Sequence, residues 1–74
     1  MIICKLKQLR FNKGISQKEL ANLTSIRYPT ISEMERGASK AYSVENLNKL
    51  CAFFNCQPAD LIEYVPDEPL DKTN

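Results

Sequence analysis

Ser16-Gln17-Lys18-Glu19-Leu20-Ala21-Asn22-Leu23-Thr24-Ser25-Ile26-Arg27-Tyr28-Pro29-Thr30-Ile31-Ser32-Glu33-Met34-Glu35-Arg36-Gly37 is the stretch on which the fold turns. Ser16 suits a helix N-cap, because its hydroxyl can accept from a first-turn N–H. Glu19, three residues on, completes a capping box. The helix it opens contains Leu20, Ala21 and Leu23 and fades by Thr24-Ser25. Pro29 would break a helix interior, but in a first turn its missing N–H forfeits no bond. A second helix therefore starts around Pro29, buries Ile31 and Met34, and stops at Gly37, which tolerates the left-handed turn that ends helices. Two short helices lie on either side of Thr24-Ser25-Ile26.

The flanks follow the same rules. Lys5 to Lys13 carries Leu6 and Leu9 at a spacing of three among Lys5, Lys7, Arg10 and Lys13, an amphipathic helix stopped by Gly14. After a loop, Ala38 to Tyr42, Ser43 caps a helix from Val44 to Phe54. Its Leu47, Leu50, Cys51 and Phe54 fall at i, i+3, i+4 and i+7. Asn55-Cys56-Gln57 is a short break, and Pro58 starts a last helix, Ala59 to about Tyr64, with Leu61 and Ile62 inward. Ile2-Ile3-Cys4 is too short to decide as a strand, and no segment alternates convincingly with period two. The pattern predicts an all-α architecture, a compact five-helix bundle over residues 1–66. Residues 67–74, with Asp67, Glu68 and Asp71, form a loose acidic tail.

Composition excludes several chemistries. At 74 residues the chain is one domain, and 43% hydrophobic with 26% charged residues suits a soluble globule. There is no His, so the commonest general base and nitrogen metal ligand are missing. Cys4, Cys51 and Cys56 form no CxxC pair and cannot supply a four-ligand zinc site; Cys51 fits a small core hydrophobe. Unpaired thiols suit a reducing cytoplasm, and Met1 to Lys5 is too short for a signal peptide or membrane span. The expectation is a cytoplasmic protein with no enzymatic activity, cofactor, metal, membrane partner or evident small-molecule ligand.

Two short helices with a tight turn between them make a helix-turn-helix unit, whose second helix enters the DNA major groove. That geometry occurs in many bundles, but the residue pattern is more specific. Leu9-Arg10, Ile15-Ser16-Gln17, Glu19-Leu20-Ala21, Ile26, Thr30-Ile31-Ser32, Met34-Glu35-Arg36-Gly37, Leu47, Leu50 and Cys51 resemble the helix-turn-helix family of phage repressors, Cro proteins and their Xre-like bacterial relatives. Asn55 to Tyr64 resembles a short, single-domain subgroup of it. The resemblance spans residues 3–66 and implies a lambda-repressor-like bundle that binds double-stranded DNA. It implies that Gln17 donates to a phosphate at a helix N-terminus, with Lys18 and Lys13 adding charge nearby. It also implies that Arg36, Ser39 and Lys40 lie along the opposing backbone. Base readout falls to the exposed face of the second helix: Arg27, Tyr28, Pro29, Thr30, Ser32 and Glu33. Arg27 could reach a guanine or a phosphate, and Glu33 could accept from a cytosine amino group. Pro29 offers only apolar contact, so this face departs from the Gln/Asn/Arg-rich helices common in the family. Arg10 and Glu35 form a structural ion pair in similar proteins.

Family members bind as dimers on inverted repeats, with recognition helices about 34 Å apart. Phe11, Phe53, Val44 and Tyr64 are candidate homodimer surfaces, and Ile2-Ile3 could pair as a strand instead. The leading reading is a sequence-specific repressor; the alternative is an antitoxin-like or anti-repressor module that binds protein. The formal charge of +1 looks unfavourable for DNA, but it is partitioned. Residues 1–42 hold eight basic and three acidic side chains, net +5, while residues 43–64 and 65–74 are each −2.

Overall fold

Each chain reversal is written in backbone chemistry. The computed structural model describes residues 1–66, so the acidic tail expected over 67–74 lies outside the described residues. In order they form β1 (Ile2–Cys4), α1 (Leu6–Lys13), α2 (Gln17–Thr24), α3 (Tyr28–Arg36), α4 (Val44–Phe54), α5 (Pro58–Leu61) and β2 (Ile62–Tyr64). The Ser16 hydroxyl accepts from the Glu19 N–H at 3.0 Å, and the Glu19 carboxylate accepts from the Ser16 N–H at 2.8 Å. Ser43 caps α4 by accepting from the Asn46 N–H at 2.9 Å. Gly37 ends α3 at φ 73°, with no atom near where a Cβ would sit. Its requirement is for the left-handed backbone, not for space.

Between α2 and α3 the reversal uses no glycine. Ser25 takes the left-handed conformation at φ 61°, a modest cost for an L-residue. Two anchors hold it there. The buried Thr24 hydroxyl donates to the Leu20 carbonyl at 2.7 Å, and Ile26 is buried directly after the turn.

The core is Leu6, Leu20, Ala21, Ile26, Ile31, Met34, Leu50 and Leu61, so every helix contributes at least one buried side chain. Helices this short are marginal alone. Burial of a Leu or Ile, worth roughly 1.5–3 kcal/mol each, is what makes them persist. Leu23, read from the sequence as part of the α2 apolar set, is 60% exposed. The buried face of α2 is Leu20, Ala21 and Thr24, which leaves Leu23 outside it.

The all-α expectation needs a correction. The five helices stand, but the last one stops at Leu61 instead of continuing to about Tyr64. Ile62 turns extended (φ −134°, ψ 151°), and Ile62–Tyr64 pairs antiparallel with Ile2–Cys4 in the register Ile2–Tyr64, Ile3–Glu63, Cys4–Ile62. The Lys5 N–H donates to the Leu61 carbonyl at 2.6 Å and the Val65 N–H to the Met1 carbonyl at 2.7 Å. A backbone partner some sixty residues upstream outweighs the helical periodicity, and the β-branched and aromatic side chains of Ile62 and Tyr64 suit the strand. Ile2-Ile3 thus finds its strand partner within its own chain.

One polar contact crosses this apolar interior. Arg10 is buried; its Nε and Nη2 donate to Glu35 Oε2 and Oε1 at 2.7 and 2.9 Å, and Nη1 donates to the Ile15 carbonyl at 2.9 Å. This two-pronged bond fixes the guanidinium plane and joins α1, the α1–α2 loop and α3. Burial opposes ionisation of Glu35. Hydrogen bonds from Arg10 and Gln17, with the charges of Arg10 and Lys7, outweigh it and hold the carboxyl below its ordinary value of 4.5. The unfolded chain titrates at that ordinary value. The stabilisation is therefore complete above it and is lost as pH falls through the lower folded value.

Two outcomes are predicted. Glu35→Ala should cost about 3–5 kcal/mol by urea denaturation, because it strands a buried guanidinium; a variant as stable as the parent would remove the pair from the account. The double variant Arg10→Met/Glu35→Leu should lose much less, and its stability should fall less steeply in acid than that of the parent.

Candidate nucleic-acid interface

The second of the two adjoining helices, α3, buries Ile31 and Met34 and turns the rest of its circumference outward. Pro29, Glu33 and Arg36 follow at i, i+4 and i+7, so they share one exposed stripe opposite that core face. Tyr28 and the preceding Arg27 are exposed at its N-terminal end, and Ser32 is half-buried on its flank. Thr30 is half-buried on the other flank, where it lines a small recess with Met34, Ser39 and Tyr42. The six residues named for base contact therefore divide. Pro29, Ser32 and Glu33 belong to the outer surface and Arg27 and Tyr28 to its start, while Thr30 turns toward the α3–α4 loop.

At the α2–α3 junction, Lys18, Asn22, Arg27 and Tyr28 line one open depression of about 570 Å³. Asn22 was not among the residues singled out from the sequence. The signal was present, since Lys18 and Asn22 are i and i+4 on α2 and share its exposed face. At the other end of α3, Arg36 and Lys40 are exposed and Ser39 is half-buried. Cationic side chains thus flank the α3 stripe at both ends.

Two residues sit differently from the reading above. The Gln17 amide is turned inward, and its Nε2 donates to Glu35 Oε1 at 2.9 Å. At this end of α2 the first-turn N–H groups have no intrahelical acceptor, and Ser16 takes the one from Glu19. The ammonium of Lys13 lies 5.4 Å from the centre of the Phe53 ring. Phe53 lines a separate recess with Leu23, Thr24 and Lys49, so Lys13 is not in the Lys18–Arg27 group.

Off the core, Met1, Ile2, Tyr64 and Val65 are exposed together along the β1–β2 pair, while Phe11, Leu23, Tyr28 and Val44 are exposed on the helices. Phe11 is 58% exposed between the cations of Lys7 and Arg10, at 5.6 and 4.8 Å from its ring centre. Val44, at 82%, and Tyr64, at 65%, are more exposed still, whereas Phe53 is half-buried edge-on against Phe54. Among the described residues no three metal-ligating side chains cluster, and no helix is long and apolar enough to cross a membrane.

Comparison with known proteins gives the family. The chain is similar to the uncharacterized HTH-type transcriptional regulator YozG of Bacillus subtilis, with 30% identity over 67 residues, covering 90% of this chain and 80% of the relative. It is similar to the control protein C.BamHI of Bacillus amyloliquefaciens, with 32% identity over 62 residues, 82% of this chain and 75% of the relative. It is also similar to the HTH-type transcriptional regulator DdrOP3 of Deinococcus deserti, with 33% identity over 66 residues, 88% of this chain but 50% of that protein. A family model covers residues 5–67, almost everything described above, and by that match the chain belongs to the Cro/C1-type HTH DNA-binding domain family.

Proposed function

We propose that the chain is a sequence-specific regulator of transcription that represses by occupying an inverted-repeat operator as a homodimer. In this reading α2 and α3 are the helix-turn-helix, and α3 lies in the major groove. The observation that carries it is the outer stripe of α3, open to solvent and bracketed by Lys18 and Arg27 at one end and Arg36 and Lys40 at the other. The names borne by the three relatives, two of them HTH-type transcriptional regulators, support transcription as the setting.

The roles follow from chemistry. Arg27 can present two parallel donors to a guanine edge, and Glu33 can accept from a cytosine amino group. Pro29 and Tyr28 offer apolar surface to a thymine methyl. Ser32, and Thr30 from its flank, supply short hydroxyl contacts. Lys18, Arg36, Ser39 and Lys40 bind phosphate and set the register. Gln17 contributes through its backbone at the α2 N-terminus, where the helix dipole favours an anion. Lys13 joins the phosphate contacts only by leaving the Phe53 ring. A second copy is needed because one α3 reads a single half-site. Val44, Phe11 and Tyr64 are among the exposed apolar side chains that a second copy can cover, with Phe53 contributing from the edge.

Selection of bound duplexes from a random library, followed by anisotropy titrations across salt, tests this reading. Lys40→Ala should weaken binding to all sequences alike and lower the salt slope by about 1. Arg27→Ala should cost about 1–3 kcal/mol and relax preference at one position of each half-site. Sedimentation equilibrium with the selected duplex should give two chains per site. Failure to enrich any sequence, with weak salt-insensitive retention on heparin, would favour the protein-binding alternative.

A further inference from the structure

The end of α4 brings together two cysteines that DNA recognition does not use. A helix that stops on a left-handed residue folds the next residue back over its last turn, so that the side chains at the two ends of that return meet. Here Asn55 is the left-handed residue, with φ 54°, and the Cys56 N–H donates to the Cys51 carbonyl at 3.0 Å. Both positions that meet are cysteines. Both thiols are free and half-buried, and both line a recess with Leu47 and Pro58 where α4 meets α5. The third cysteine, Cys4, is held in β1 opposite Ile62.

We propose that Cys51 and Cys56 are an oxidisable pair, a modification site that closes to an intramolecular disulfide with a low-molecular-weight disulfide as oxidant. A disulfide spans Cα atoms about 4.4–6.8 Å apart, a separation within reach of two residues joined by one backbone hydrogen bond. In the first step the thiolate of one cysteine attacks a sulfur of the small disulfide and expels one small thiolate. In the second, the thiolate of the other cysteine attacks the protein sulfur of that mixed disulfide and expels the second. Two electrons pass from the protein dithiol to the oxidant, and the two protons leave on the two small thiols. Burial, the neighbouring Cys51 and the Asp60 carboxylate push the Cys56 thiol up, so its thiolate is sparse and its part in the exchange is slow. The bond would staple the last turns of α4 to the short link that leads into α5, whose Leu61 lies in the core and whose next residue opens β2. The inference stands apart from the DNA reading.

The test uses the folded full chain incubated with oxidised glutathione, blocked with an alkylating agent and analysed by mass. Trypsin places Cys51 and Cys56 together in the peptide Leu50–Lys72 and leaves Cys4 in the N-terminal peptide. The expected result is a Leu50–Lys72 peptide lighter by two hydrogens and resistant to alkylation, in both the parent and Cys4→Ser. Cys51→Ser and Cys56→Ser should each retain one stable glutathione on the remaining cysteine. The proposal is overturned by glutathione on Cys51 and Cys56 separately, by a bond that includes Cys4, by covalent dimers, or by no reaction at a ratio that oxidises a short dithiol peptide. Should either serine variant lose its helical circular-dichroism spectrum, the maps of the parent and Cys4→Ser decide alone.

Discussion

The buried Arg10–Glu35 contact is the constraint on which the rest of the structure depends. Two of the guanidinium's donors are spent on the carboxylate and a third on the Ile15 carbonyl, and the carboxylate also accepts from Gln17. One charge pair therefore meets α1, the loop after it, the first residue of α2 and the last turns of α3. Apolar burial holds these helices together, but it is indifferent to small rotations because it has no direction. A hydrogen-bonded ion pair has direction, and a rotation of α3 that lengthened it would separate two buried charges from each other. The pair thus sets which face of α3 points outward, and with it which residues are available to a ligand.

Much of this fold was legible because its signals are local. The capping box at Ser16 and Glu19, Pro29 in a first turn, Ser43 before α4 and the glycines at 14 and 37 each act within four or five residues. The helices they bound are where the sequence places them. The strand pair was not legible in the same way. Ile62–Tyr64 continues the spacing of α5, and only the presence of Ile2–Cys4, far away in sequence, makes the extended conformation better. Leu23 stays exposed for a related reason: the core face of α2 is set by what packs against it, not by the count of its apolar residues.

The site shows the same division. Assigning Ile26 in the turn and Ile31 and Met34 in α3 to the core leaves the outer surface of α3, so that surface is readable from the sequence. How its flanks are partitioned is not. Thr30 turns toward Ser39 and Tyr42, Lys13 toward Phe53, and the Gln17 amide toward Glu35. Each departure is a tertiary contact between elements whose relative placement is absent from any one helical pattern. Asn22 is the converse, a residue whose helical spacing from Lys18 was readable but whose place beside Arg27 and Tyr28 appears only once α2 and α3 are packed. The near-neutral net charge hides an uneven partition along the chain, with a basic excess in residues 1–42 and an acidic one in residues 43–74.

The central claim is that α3, oriented by Arg10 and Glu35, presents the DNA-reading surface of this chain. Amide chemical-shift mapping during titration with a selected duplex tests it most directly. The account predicts that the largest changes fall on Gln17 to Asn22, Arg27 to Arg36, Ser39 and Lys40, while Leu50 to Leu61 change little. Changes concentrated on α4 and α5, with Arg27 to Arg36 unmoved at saturation, would contradict it.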